Sequence, residues 1–147
     1  MPAAHINLLQ GHSRRELRAV IVGVSDVMAS VLGAPRERLE VWVTEHDPEL
    51  FGVDGAPAID ALARAPLRDV EIPLVLMTLL SGRPVEQHHA LIAGITEVIE
   101  RALGTPPGRT RIGITTVSPD SWGIGGRPAA VVRAGEIAAR AAAESSG

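Results

Sequence analysis

Pro2 is the first residue whose type suggests chemistry. It directly follows Met1, and proline at position two normally permits removal of the initiator methionine. The nitrogen released is a secondary amine, able to take a proton as a general base or to add to a carbonyl as a nucleophile. The chain has no cysteine, which excludes thiolate nucleophiles, disulfides and cysteine–zinc sites. His88 and His89 are adjacent, and adjacent positions on a helix do not face one another. With His5, His12 and His46 scattered and no HExxH-type spacing, no metal site is expected. Gly123-Ile124-Gly125-Gly126 follows no Walker-type lysine and opens no dinucleotide-fingerprint helix, so it is not read as a phosphate loop.

The elements that must position such an amine are written twice. Setting Pro2 on Pro73 gives an offset of 71, which without a gap pairs Gly11 with Gly82, Gly23 with Gly94, and Leu32-Gly33 with Leu103-Gly104. The same register pairs Pro35 with Pro106, Arg38 with Arg109, Thr44 with Thr115 and Pro48 with Pro119, and lays 51–55 on 122–126. Each copy opens with an apolar run ending at glycine (Ala4–Leu9; Leu74–Leu80), the pattern of a buried strand. A helix follows, begun by Ser13 as cap in one copy and by Pro84 as a first-turn residue in the other. Leu17, Val20, Ile21, Val24, Val27 and Val31 recur at helical spacing, as do Leu91, Ile92, Ile95, Val98, Ile99 and Ala102. Gly33 and Gly104 suit the C-terminal caps. A second β-rich run (Leu39–Thr44; Thr110–Val117) and a Gly-rich hairpin complete each copy.

Each copy is thus a β-α-β unit whose crossover helix makes its two strands parallel. Two units can join their sheets and cover one face with both helices. The expected fold is α/β (α+β): one mixed four-stranded sheet with two helices on one face. Residues 1–55 would form the first unit, 56–70 a linker with one helical turn around Ile59–Ala63, 71–126 the second unit, and 127–147 a helical tail. All of it makes one compact domain, as suits 147 residues. A net charge of −3 with scattered arginines offers no footprint for nucleic acid. Charge interrupts every apolar run before the ~20 residues a membrane span needs, and the start lacks a signal-peptide pattern; a cytoplasmic location is expected.

A proline at the mature N-terminus, β-α-β units ending in Gly-x-Gly-Gly and Leu-Gly-x-Pro after each helix resemble the tautomerase superfamily, and its 4-oxalocrotonate tautomerase group above all. Each copy resembles one short subunit of that group. The resemblance implies a homotrimer of fused chains. It also implies four site parts: the terminal proline, an arginine after the strand-ending glycine, an arginine opening the second strand, and an aromatic before the hairpin glycine. Copy one supplies Pro2 and Phe51, with His12 and Glu40 at the arginine positions. Copy two supplies Arg83, Arg111 and Trp122, while Pro73 lies inside the chain, where an amide nitrogen is no base. In the family a proline is served by arginines from neighbouring units, so one composite site per chain is expected, and the converse one around Pro73, His12 and Glu40 should be dead.

The implied activity is tautomerisation of a small enol or 2-oxo carboxylate without metal or organic cofactor. Burial and nearby arginines would both disfavour the protonated amine of Pro2. Arg83 and Arg111 would hold the substrate carboxylate and stabilise a developing dienolate, and Trp122, Phe51 and His12 would bound the pocket. The amine could alternatively form an iminium with an aldehyde. Two alternatives stay open: water-adding dehalogenation or oxo-acid decarboxylation, for which Asp120 or Glu37 would have to supply a carboxylate, and a catalytically silent structural trimer.

Overall fold

The computed structural model describes residues 2–147. Strand β1 (Ala3–Leu9) sends Ala4, Ile6 and Leu8 into the core, as the two-residue period of a strand requires. Helix α1 (Arg14–Leu32) starts with a capping box. Ser13 Oγ accepts from the Glu16 amide at 3.1 Å, and Glu16 Oε1 accepts from the Ser13 amide at 3.0 Å. The helix buries Leu17, Val20, Val24, Met28 and Leu32 and stops at Gly33, whose φ of 60° is the left-handed cap glycine tolerates. The chain returns in β2 (Glu40–His46), parallel to β1. A hairpin of β3 (Gly52–Val53) and β4 (Ala56–Pro57) follows. Its turn residues Asp54 and Gly55 have φ of 54° and 81°, a conformation matched to strand twist.

Short helices α2 (Ala58–Leu62) and α3 (Leu67–Val70) form the connection, the second of them not foreseen from the sequence. The pattern then repeats as β5 (Leu74–Leu80), α4 (Val85–Leu103), β6 (Arg111–Val117) and the hairpin β7 (Gly123–Ile124) and β8 (Arg127–Pro128). Pro84 takes the cap position rather than the first turn, so α4 has no side-chain cap of the kind Ser13 provides. The tail is two helical pieces, α5 (Ala129–Val132) and α6 (Ala134–Ser145), broken at Arg133.

The strand order is β2-β1-β5-β6. The outer pairs are parallel and the central pair, β1 with β5, is antiparallel. His5 pairs with Leu76, its own counterpart at the offset of 71, so a pseudo-twofold axis passes between them. The same symmetry governs the helices. A Cβ on Gly23 would lie 2.6 Å from Val98 Cγ1, and one on Gly94 would lie 2.8 Å from Val27 Cγ1. Both glycines are therefore required by the close helix crossing. Together α1 and α4 bury the sheet face carrying Ile6, Leu8, Val75, Met77 and Leu79.

On the opposite face His5 stacks on Trp42 at 5.0 Å between centroids and its Nε2 hydrogen-bonds Thr44 Oγ1 at 2.8 Å. There Trp42 on the edge strand β2 and Leu76 on the central strand β5 are 44% and 47% exposed in the single chain, which leaves large apolar groups on this face uncovered. No helix among the described residues is long and apolar enough to cross a membrane.

Candidate active site

The antiparallel centre of the sheet puts the two prolines at opposite ends, each beside the far end of the other unit's first strand. Pro2 is buried at the start of β1, and its carbonyl accepts from the Glu40 amide at 3.1 Å. It opens onto a cleft walled by Leu79 and Leu80 of β5 and by Ile124 of the second hairpin. Gly82, with φ of 96°, turns the chain after β5 and delivers Arg83 into this cleft. Arg83 Nη1 donates to the Leu32 carbonyl at 3.2 Å and to Gln87 Oε1 at 3.1 Å. Burial, together with the charge of Arg140, lowers its pKa to about 10, so it stays cationic at neutral pH.

Further cations line the same cleft. Arg38, on the turn before β2, and Arg133 and Arg140, from the tail, join Arg83 there, with Glu136 as the acidic residue among them. Glu136 is engaged by Arg38, whose Nη1 donates to both carboxylate oxygens at 2.9 and 2.8 Å. A cleft with this balance favours anions. Trp122 lies in an adjoining groove with Glu37, Glu40 and Gly123, and that groove shares Arg38, Ile124 and Arg133 with the Pro2 cleft.

The chain thus brings Arg83 to Pro2 and sets Trp122 next door. It does not bring Arg111, His12 or Phe51 there. Arg111 sits at the other end of the sheet, its amide on the Pro73 carbonyl at 2.8 Å and its guanidinium on the carbonyls of Gly108 and Arg109 at 2.7 and 3.0 Å. Phe51 packs near His46, with ring centroids 5.3 Å apart, on a small second core of Leu9, Val53, Ala58 and Val70. His12 is held at the Pro73 end by Glu71, whose carboxylate takes its Nε2 at 2.9 Å and the Leu9 amide at 2.7 Å. Burial works against the imidazolium of His12. The hydrogen bond and charge of Glu71, with the charge of Glu16, outweigh that burial and raise its pKa above the ordinary 6.5. Glu71 thus plugs the end of the sheet related to the Pro2 cleft by the pseudo-twofold. Arg109, the counterpart of Arg38, braces this plug through the carbonyls of Glu71 and Val70 at 3.0 and 2.7 Å.

Sequence reasoning missed Glu71, Arg109 and the whole contribution of the tail. The tail carried a signal: Arg133, Glu136, Ile137 and Arg140 recur at helical spacing and so share one face. Nothing in their order says what that face meets.

Comparison with known proteins accounts for this doubled plan. The family described as tautomerase enzyme matches the chain twice, over residues 2–60 and 73–131. The chain belongs to the tautomerase family. Among its relatives, the 2-hydroxymuconate tautomerase of Pseudomonas sp. (strain CF600) is 38% identical over 58 residues, covering 40% of this chain and 92% of that protein. Among solved structures, native fused 4-OT superposes on this tautomerase-family chain with a TM-score of 0.80 at 29% identity, covering 89% of this chain and 98% of that one. A fused 4-OT described as an asymmetric trimer has a TM-score of 0.76 at 26% identity, covering 88% and 98%. That short relative matches over 58 residues, about the length of one β-α-β unit, whereas the fused structures cover most of both units.

Proposed function

We propose that the chain is a tautomerase that moves a proton within a small enol or 2-oxo carboxylate, with the amine of Pro2 as general base in a mature chain beginning there. The observation that carries this reading is a buried Pro2 sharing one cleft with Arg83 and an excess of cationic side chains. Positive potential and burial both disfavour the protonated amine, which suits a base working near neutral pH. The neutral amine takes the proton of the substrate's enol hydroxyl. Electron density moves to the far carbon of the conjugated system, which then receives that proton back from the prolinium. Arg83 holds the carboxylate and offsets the negative charge that develops between the two steps. No step consumes a co-reactant. The 2-hydroxymuconate named for the relatives is the first substrate to test.

The functional unit in this reading is a homotrimer. Its support is the apolar face around Trp42 and Leu76 and the trimeric form of the fused relative. Arg111, remote from Pro2 within one chain, would enter a site from a neighbouring chain. Pro73 has no part in proton transfer, since its nitrogen is an amide.

The decisive experiment pairs intact mass with an ultraviolet ketonisation assay on 2-hydroxymuconate and phenylenolpyruvate. The expected outcome is loss of one methionine with turnover, a Pro2→Ala rate lower by about 10²-fold or more, and a Pro73→Ala rate close to wild type. Retained methionine, or equal damage from both substitutions in folded protein, would refute the assignment. A water-adding reading draws on one feature, the Glu37 carboxylate in the groove beside Trp122. Turnover of a 3-haloacrylate that is lost in Glu37→Gln would favour it.

A further inference from the structure

The end of the sheet opposite the Pro2 cleft holds a buried carboxylate that the proposed reaction does not use. The antiparallel ladder of β1 with β5 stops at Asn7 and Leu74. Two residues on, the Leu9 amide donates to Glu71 Oε2 at 2.7 Å. Nε2 of His12 lies 2.9 Å from both oxygens of the same carboxylate. A main-chain N–H and an imidazole N–H converging on two oxygens are the donor set of a small carboxylate site. His12 is the counterpart of Arg83 at the offset of 71, so this set stands at the end related to the Pro2 cleft by the pseudo-twofold. Its occupant is the chain's own side chain. Glu71 is 1% exposed and its main chain is fixed on both sides. Its amide donates to the Leu67 carbonyl at 2.8 Å, and its carbonyl accepts from Arg109 Nε at 3.0 Å. Gly11, His12, Leu67 and Arg68 line an open groove beside it.

We infer that the Pro73 end is a second carboxylate-binding site with Glu71 as its built-in ligand, an autoinhibitory side chain that holds the place of a small monocarboxylate and shuts the site against free ones. Glu71 excludes a second anion in two ways. It takes the donors at His12 and Leu9, and its charge repels a further carboxylate in a place with little water to screen it. Glu16, 3.7 Å from His12 Nδ1, adds to that repulsion. The inference concerns binding alone and stands apart from the chemistry proposed for Pro2.

The test empties the site and offers it a free ligand. Acetate matches the Glu71 side chain beyond Cβ atom for atom, so Glu71→Ala leaves a space of its shape. Thermal unfolding of the full chain, followed by circular dichroism at about pH 6 where imidazole is largely charged, compares sodium acetate with sodium chloride at equal ionic strength. Acetate should raise the Tm of Glu71→Ala saturably. At about tenfold the half-saturating concentration, the rise should exceed that of wild type by about 3–6 °C. In proton–nitrogen correlation spectra of Glu71→Ala, the Leu9 amide should shift along the same saturation curve. Glu71→Gln, which refills the space, should respond to acetate as wild type does. So should Glu71→Ala combined with His12→Leu, which lacks the imidazole. Where Glu71→Ala is unfolded in chloride, acetate should restore its helical signal. A Glu71→Ala chain that gains no more from acetate than wild type, stays unfolded in acetate, or keeps its gain without His12 would overturn the inference. None of these outcomes depends on turnover at Pro2.

Discussion

Replacing His12 by alanine strands the Glu71 carboxylate. The side chains of His12 and Glu71 are 4% and 2% exposed, and the pair is joined at 2.9 Å. Removing one member of a buried ion pair typically costs 3–5 kcal/mol, because the remaining charge has lost its solvent and its partner. Glu71 would keep the Leu9 amide at 2.7 Å, which places the expected loss at the lower end, about 3 kcal/mol. For a chain of this size that is roughly 6–12 °C in Tm, measured at one protein concentration because assembly also shifts Tm.

The pH dependence has a definite sign. Folding favours the imidazolium, since the pKa of His12 is raised above 6.5 in the native protein by Glu71 and Glu16 against the opposing effect of burial. Its contribution is complete below about pH 6.5, the value in the unfolded chain, and is lost as pH rises through the higher native value. Urea denaturation at a series of pH values should therefore show the gap between wild type and His12→Ala narrowing as pH rises. The paired change His12→Leu with Glu71→Met should recover most of the loss, because a packed apolar pair replaces a buried ionic one at little cost. A His12→Ala loss below 1 kcal/mol, or a gap that widens with pH, would refute the account of this pair.

Gly94→Ala sets a methyl group 2.8 Å from Val27 Cγ1, on a β-branched side chain that has little rotamer freedom in a helix. Overpacking of about 1–3 kcal/mol, less roughly 1 kcal/mol gained in helix propensity, predicts a net loss of about 1 kcal/mol in urea denaturation, relieved by Val27→Ala. Leu76→Glu places a charge at the centre of the uncovered sheet face; under the proposed trimeric assembly, sedimentation velocity should show a trimer for wild type and monomers for this variant. Arg83→Ala removes one of the cations lining the Pro2 cleft. Steady-state kinetics should show KM for carboxylate substrates raised by about tenfold or more, with a smaller fall in kcat.

Much of the fold was legible because it rests on local rules. Ser13 with Glu16, the left-handed Gly33 and Gly104, and the turns at Asp54-Gly55 and Gly125-Gly126 all act over a few residues. The repeat at an offset of 71 then carried each assignment from one copy to the other. Errors came at element ends: β2 runs from Glu40 to His46 rather than from Leu39 to Thr44, because ladder pairing with β1 extends it past the apolar run. The tail breaks at Arg133, since its Ala-rich composition favours a helix without saying where packing interrupts it.

Sequence alone determined which groups are available for the proposed chemistry: a proline directly after Met1, Arg83 where the first unit has His12, and no thiol. It also determined the β-α-β plan, because periodicity and capping are properties of neighbouring residues. Tertiary structure decided who meets whom. Pairing of β1 with β5 in antiparallel register sends Arg83 to Pro2 and leaves Arg111, His12 and Phe51 at the far end. The Arg38–Glu136 contact brings the tail over the cleft. Glu71 reaches across to Leu9 and His12 to fill the end where Pro73 lies. These are long-range pairings set by strand register and helix docking, and no spacing along the chain encodes them.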